Sequence, residues 1–287
     1  MPARPPIVIN RSGLHFTDKV TIITGGAKGI GEGCVRVFVD AGAWVVFLDR
    51  DEAAGKQLET ELSDSAPGGC RFLAGDVSRP EDLKKLVQTA VDSYGTIDCL
   101  LNNAGYHPPT RRIDDFTAEE FRDVLNINLV SYFTTCQLAL PYLRKSKGSI
   151  VNISSLVGEM GQEGASTYAA TKGGVNGFTK ALAIDEAAAG VRVNAILPSN
   201  AISHGRIVGV AACENPEAVD AWIDSNQHNN RSASVEEVGQ ACLFLATAAS
   251  SYISGVLLNL SFGAELGYGV KFPCYFLDQD KASTSGK

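Results

Sequence analysis

From residue 19 to about residue 260, short β-branched apolar runs alternate with longer stretches in which apolar positions recur at helical spacing. Those two periods separate strands from helices. Seven runs read as strands: Val20–Thr24, Trp44–Asp49, Arg71–Ala74, Cys99–Asn102, Ser149–Ser154, Arg192–Leu197 and Val256–Asn259. They are almost continuously apolar, as expected of strands covered on both faces of a parallel sheet. Between them, Ser78-x-x-Glu81, Thr117-x-x-Glu120 and Ser234-x-x-Glu237 have the spacing of capping boxes and predict helix starts. Strand, helix, strand repeated along one chain implies right-handed crossovers and a doubly wound, seven-stranded parallel sheet in a single α/β domain. In such a sheet, ligands sit at the carboxyl ends of the strands.

Three stretches break this rhythm. Residues 1–18, rich in proline, read as an N-terminal arm, and residues 271–287 read as a C-terminal tail, leaving 19–270 as the domain. Ser199–Arg231, after the sixth strand, is too long for an ordinary connection and reads as an irregular lid at the ligand edge.

Composition narrows the function. The 287 residues carry a net charge of −7, which argues against an electrostatic nucleic-acid or membrane-surface binder. No apolar run approaches the roughly 20 residues of a membrane span, and the N-terminus has no signal-peptide pattern, so a cytoplasmic protein is expected. Seven dispersed cysteines without a C-x-x-C pair support neither a disulfide framework nor a metal site. Glycine is the outlier: 29 residues, about a tenth of the chain, cluster in short loops beside apolar runs.

The first such loop, Thr24-Gly25-Gly26-Ala27-Lys28-Gly29-Ile30-Gly31, lies between the first strand and a helix. A glycine-rich turn there lets backbone N–H groups and the helix dipole meet a pyrophosphate, the dinucleotide site of a Rossmann fold. A carboxylate near the end of the second strand then holds the adenosine ribose, and Asp49 is in that place. Its charge repels a 2′-phosphate and favours NAD over NADP. Lys28 and Arg50 stand nearby, and either could offset a phosphate. Asp76-Val77 and Asn102-Asn103-Ala104-Gly105 close the third and fourth strands and extend the candidate cofactor edge; each also reads as a turn or helix cap.

Tyr168 and Lys172 are four residues apart, one turn along a single helix face. An ammonium beside a phenol favours the phenolate and would lower the tyrosine pKa toward working pH, as a general base for an alcohol requires. With eight tyrosines and twelve lysines in the chain, that spacing alone is weak. Ser155, thirteen residues before Tyr168 and just past the fifth strand, strengthens it.

Together, T-G-x-x-x-G-x-G at 24–31, N-N-A-G at 102–105, Asn128, Ser155 and Y-x-x-x-K at 168–172 resemble the short-chain dehydrogenase/reductase family in order and spacing. The resemblance covers roughly residues 18–270. It implies that Tyr168 takes the substrate hydroxyl proton, Ser155 hydrogen-bonds the same oxygen, Lys172 binds the nicotinamide ribose, and Asn128 anchors a relay water. It also implies cofactor contacts from Pro198 and Ser203 and a secondary alcohol or ketone as substrate. Finer similarity, in Ala104–Pro109, Leu138–Ser146, Asn152–Gly158 and Gly263–Gly269, reaches a branch that oxidises 17β-hydroxysteroids or sugars such as L-fucose. That branch is cytosolic, NAD-dependent and tetrameric, so a homotetramer or homodimer is expected. By position, His107 and Gln162 would line the substrate pocket; His107, beside two prolines, reads equally as a loop histidine.

The chain departs from the family at Ser199, Ala233 and Phe262, where glycine is usual, and at Ser203, where threonine is usual. These changes fall on cofactor closure and substrate selection. An NAD-binding module with little catalysis is therefore the rival reading. Gly173, Gly174 and Gly177 offer a flat helix face for assembly, or for packing on the chain's own sheet.

Overall fold

Seven strands form one parallel sheet in the order β3-β2-β1-β4-β5-β6-β7. They are β1 (Val20–Thr24), β2 (Trp44–Asp49), β3 (Gly69–Ala74), β4 (Cys99–Asn102), β5 (Ser149–Ile153), β6 (Arg192–Pro198) and β7 (Leu257–Leu260). The computed structural model describes residues 13–63 and 67–266. The helices are α1 (Gly29–Asp40), α2 (Glu52–Ser63), α3 (Pro80–Tyr94), α4 (Ala118–Leu125), α5 (Ser131–Ser146), α6 (Val157–Met160), α7 (Ser166–Asp185), α8 (His204–Ala211), α9 (Pro216–Ser225) and α10 (Val235–Ala246). Among the described residues, no helix is long and apolar enough to cross a membrane.

The continuous apolar character of the strands has a direct cause. Alternate residues of one strand enter different cores: Ile23, Val45 and Phe47 pack with α1, α2 and α10, while Ile22, Val46 and Leu48 pack with α3, α5 and α7. On the first face α1 and α10 cross at glycines. A Cβ on Gly33 would lie 2.5 Å from the Val235 carbonyl oxygen, and one on Gly239 would lie 2.9 Å from that of Gly33.

Two of the three expected capping boxes form. Thr117 and Glu120 exchange hydrogen bonds of 3.1 and 2.7 Å, and Ser234 and Glu237 exchange bonds of 3.2 and 2.8 Å. The box at Ser78 does not form. Pro80, whose ring fixes φ and lacks an N–H, takes the first position of α3, so the cap falls on Arg79. Ser78 instead donates its N–H to Asp76 Oδ1 at 2.8 Å.

The expected irregular lid contains two helices, α8 and α9. Arg206 of α8 joins Asp220 and Asp224 of α9 at 2.6 and 2.9 Å and also donates to the Ser232 hydroxyl before α10. Of the expected N-terminal arm, residues 1–12 lie outside the described residues. Its end is core: Phe16 is buried and meets the Phe38 ring edge to face at 5.8 Å. The expected tail, 271–287, lies outside the described residues.

At the positions where glycine is usual, the structure separates three cases. Ser199 and Ala233 have no positive φ; Ala233 forms a parallel bridge with Ala201. Phe262 has φ +49°, a left-handed conformation costly for a bulky residue, and its side chain is 65% exposed. Phe262→Gly is therefore expected to stabilise the protein by about 1 kcal/mol, seen as a higher Tm in thermal unfolding. An unchanged or lower Tm would refute the strain.

Candidate active site

Where β1 and β4 diverge, a cavity of about 940 Å³ opens at the carboxyl edge of the sheet. Its floor is the loop from β1 to α1. Gly25 turns it at φ +66°, and the N–H groups of Gly25 and Gly26 donate to the Leu48 carbonyl at 2.8 and 3.2 Å. A Cβ on Gly25 would lie 2.8 Å from Ala104 Cα, and one on Gly31 would overlap the Gly25 carbonyl oxygen. Asn103 secures the loop from β4 by donating its amide to the carbonyls of Thr24 and Gly25 at 3.0 and 2.9 Å. Lys28 is extended at the N-cap of α1, and no side chain caps the helix. The first turn of α1, at Gly29 and Ile30, thus faces the cavity as backbone, the condition for an anion site.

At the end of β2, Asp49 accepts from the N–H of Ala27 through Oδ2 and of Asp51 through Oδ1, both at 3.0 Å. Asp76 follows β3. Burial raises its pKa, but hydrogen bonds from Ser78 and the charges of Arg50 and Arg79 outweigh it and hold the carboxyl below its ordinary value. Every expected cofactor residue lines this cavity except Gly31 and Asn102. Gly31 lies beneath the loop. Asn102 is fully buried and donates to Asn152 Oδ1 at 2.9 Å and Cys136 Sγ at 3.3 Å, which makes it a tie between β4, β5 and α5.

The reactive groups converge from β5 and α7. Ser155 follows β5, and its hydroxyl accepts the Val157 N–H at 3.2 Å. The following helix lies flush on α7: a Cβ on Gly158 would be 2.7 Å from the Lys172 carbonyl carbon. The Ser155 hydroxyl acts on the Tyr168 phenol, lowering its pKa. Lys172 is buried, its Nζ donates to the Ile153 carbonyl at 2.7 Å, and it lies 5.7 Å from the centre of the Tyr168 ring.

The expected lowering of the Tyr168 pKa is absent. Burial pushes the phenol up to about 12, opposed by the Ser155 hydrogen bond. Lys172, its amine aimed at the Ile153 carbonyl, is shifted the opposite way, burial pushing its pKa down to about 7. Desolvation disfavours the charged form of both groups.

Asn128 sits in a π-helical turn, Asn126–Val130, a widening that recurs at functional sites. It is fully buried and does not line the cavity. Its Oδ1 accepts the Tyr106 N–H at 2.8 Å, and its Nδ2 donates to the Tyr106 carbonyl at 2.9 Å and to Thr171 Oγ1 at 3.1 Å. With both ends of the amide engaged, Asn128 clamps the loop after β4 onto α7. His107 is in the cavity wall, its ring 4.2 Å from that of Tyr168. Its Nδ1 lies 2.6 Å from the Pro108 carbonyl, so the proton is on Nδ1 in that contact. Gln162 is exposed and does not line the cavity: left-handed Gly161 and Gly164 turn its loop outward.

Sequence reading missed the lid wall. Gly205 and Gly209 of α8, Cys213 just beyond it, and Val219 and Ile223 of α9 line the cavity, each set spaced four apart. That helical period was the available signal.

A family model described as enoyl-(acyl carrier protein) reductase matches residues 25–265. The L-fucose dehydrogenases of Mus musculus and Rattus norvegicus are 46% and 47% identical over 257 residues, 90% of this chain and 92% and 93% of theirs. Among solved structures, the aldohexose dehydrogenase of Thermoplasma acidophilum superposes with a TM-score of 0.79 at 28% identity, covering 90% of this chain and 98% of that one. The 3-ketoacyl-(acyl-carrier-protein) reductase of Brucella melitensis complexed with NADH superposes with a TM-score of 0.78 at 27% identity, covering 87% and 99%.

Proposed function

The chain belongs to the short-chain dehydrogenase/reductase family of oxidoreductases, and from that premise we propose that it oxidises a secondary hydroxyl of a sugar such as L-fucose, with NAD as hydride acceptor. One observation carries the reading: Ser155, Tyr168 and Lys172 meet in the same cavity as the glycine loop and Asp49.

The residues fit a dinucleotide. The bare loop at Gly25, the uncapped start of α1 and Asp49 would hold its pyrophosphate and adenosine ribose. Lys172 would hold the nicotinamide ribose, and Ser203 the carboxamide; the Ser203 hydroxyl also accepts the Arg206 N–H as N-cap of α8. When bound, NAD supplies the hydride acceptor and a positive charge close to the phenol. Ser155 then holds the substrate oxygen, and Tyr168 takes its proton as the hydride leaves the carbon. Burial raises the phenol pKa, and the positive charge that a bound cofactor would bring close to the phenol would oppose that rise.

A 17β-hydroxysteroid is the second reading, favoured by the apolar lid residues Val210, Val219 and Ile223 in the cavity wall. The proposal extends to a cytoplasmic homodimer or homotetramer. Of the expected glycine face, Gly174 packs on Leu129 of its own chain, while Gly177 has nothing within 4 Å; Phe133 and Ile184 are exposed.

The test is NADH formation with L-fucose, other aldohexoses and an oestradiol-type steroid. Turnover of L-fucose is expected, and turnover of the steroid alone would select the second reading. Tight NADH binding with no turnover of any alcohol would instead establish a cofactor-binding module.

A further inference from the structure

Two cations, Lys28 and Arg50, share the cavity wall with Asp49, and free ammonium or guanidinium groups there would welcome a 2′-phosphate. Lys28 is not free. Its Nζ lies 2.6 Å from Asp51 Oδ2, with side chains 41% and 36% exposed. Asp51 is the fixed member of this pair. Its Oδ1 accepts the Ala54 N–H at 3.0 Å, its carbonyl accepts the Gly55 N–H at 2.9 Å, and its own N–H donates to Asp49 Oδ1 at 3.0 Å. The lysine stem is flexible, whereas the carboxylate is anchored at the start of α2 and coupled to Asp49.

We propose that Asp51 is a second determinant of cofactor choice, holding Lys28 in an ion pair and adding its own charge against a 2′-phosphate. This rests on the reading that the cavity binds a nicotinamide dinucleotide. Asp49 alone would face an incoming phosphate with Lys28 available to neutralise it. With Asp51 in place, the phosphate meets two carboxylates and, beside Arg50, a lysine already engaged.

Asp51→Asn tests this with little structural cost, because asparagine caps a helix as well as aspartate does. Cofactor binding is measured directly, by fluorescence titration of NADH and NADPH without substrate. In Asp51→Asn the Kd for NADPH is expected to fall about tenfold, the size of one unscreened charge contact at a partly exposed site. The Kd for NADH should stay within about twofold. The gain should shrink as salt rises, and Lys28→Met added to Asp51→Asn should reduce it to the part that comes from the lost Asp51 charge alone. NADH binding with no gain for NADPH, or a gain that Lys28→Met leaves undiminished, overturns the proposal alone. A parent protein that binds neither cofactor overturns the cofactor reading and this inference together.

Discussion

Tyr168→Phe is expected to lower the rate of NAD reduction by about 10³-fold or more, the scale of losing a positioned general base, with NADH affinity within about threefold of the parent. The substitution removes one oxygen and leaves the rest in place. The ring still packs against His107 at 4.2 Å, and Lys172 keeps its bond to the Ile153 carbonyl. Ser155 cannot replace the base: its hydroxyl already accepts from Val157, and an alcohol has no affinity for a proton at neutral pH. His107, tied through Nδ1 to Pro108, does not present the geometry of Tyr168. Single-turnover kinetics paired with NADH titration separates chemistry from binding. A variant that keeps a tenth of the parental rate would show that another group takes the proton.

Lys172→Met is expected to do two opposite things, abolishing turnover while raising stability. Burial depresses the folded lysine pKa from 10.5 to about 7. Between those values the unfolded chain holds the extra proton, so stability rises with pH from about 7 to 10.5; below 7 it stays at the lower level. The displacement corresponds to roughly 4 kcal/mol of penalty at neutral pH. Methionine removes it at the loss of a hydrogen bond to the Ile153 carbonyl, which keeps its bond from the Tyr132 hydroxyl at 3.0 Å. A net gain of about 2 kcal/mol is expected. Denaturant unfolding at pH 7 and pH 10 measures it: the difference between variant and parent should be large at pH 7 and small at pH 10. Equal differences at both pH values would show that Lys172 is buried without penalty.

The strands were legible because burial on both faces leaves an apolar run that ends at a polar residue. Thus β1, β2 and β4 end at Thr24, Asp49 and Asn102, as read. Local chemistry misled at Ser78, where the hydroxyl and carboxylate had the right spacing but Pro80 moved the helix start. The active-site residues were legible by type and order, since each must stand at a strand end or on one helix face. Their electrostatics were not. The raised Tyr168 and lowered Lys172 pKa values arise from enclosure by β5, α5 and the loop after β4, which adjacent sequence does not encode. Asp51 was unread for the same reason: its pairing with Lys28 joins the segment after β2 to the loop after β1. The lid helices were missed although α8 and α9 carry the period, because helices of eight and ten residues, one of them with two glycines, give weak patterns.

The Asn103 bonds to Thr24 and Gly25 span 79 and 78 residues. The Asn103 part of the loop's hold is therefore made only after β4 has been synthesised and placed beside β1, three crossover helices later. Contacts of that range close late in folding. A nascent chain that ends in α3 contains every glycine of the loop and Asp49, but not the Asn103 side chain that ties the loop to β4. The loop takes its full set of bonds only with residue 103, long after its own glycines have been synthesised.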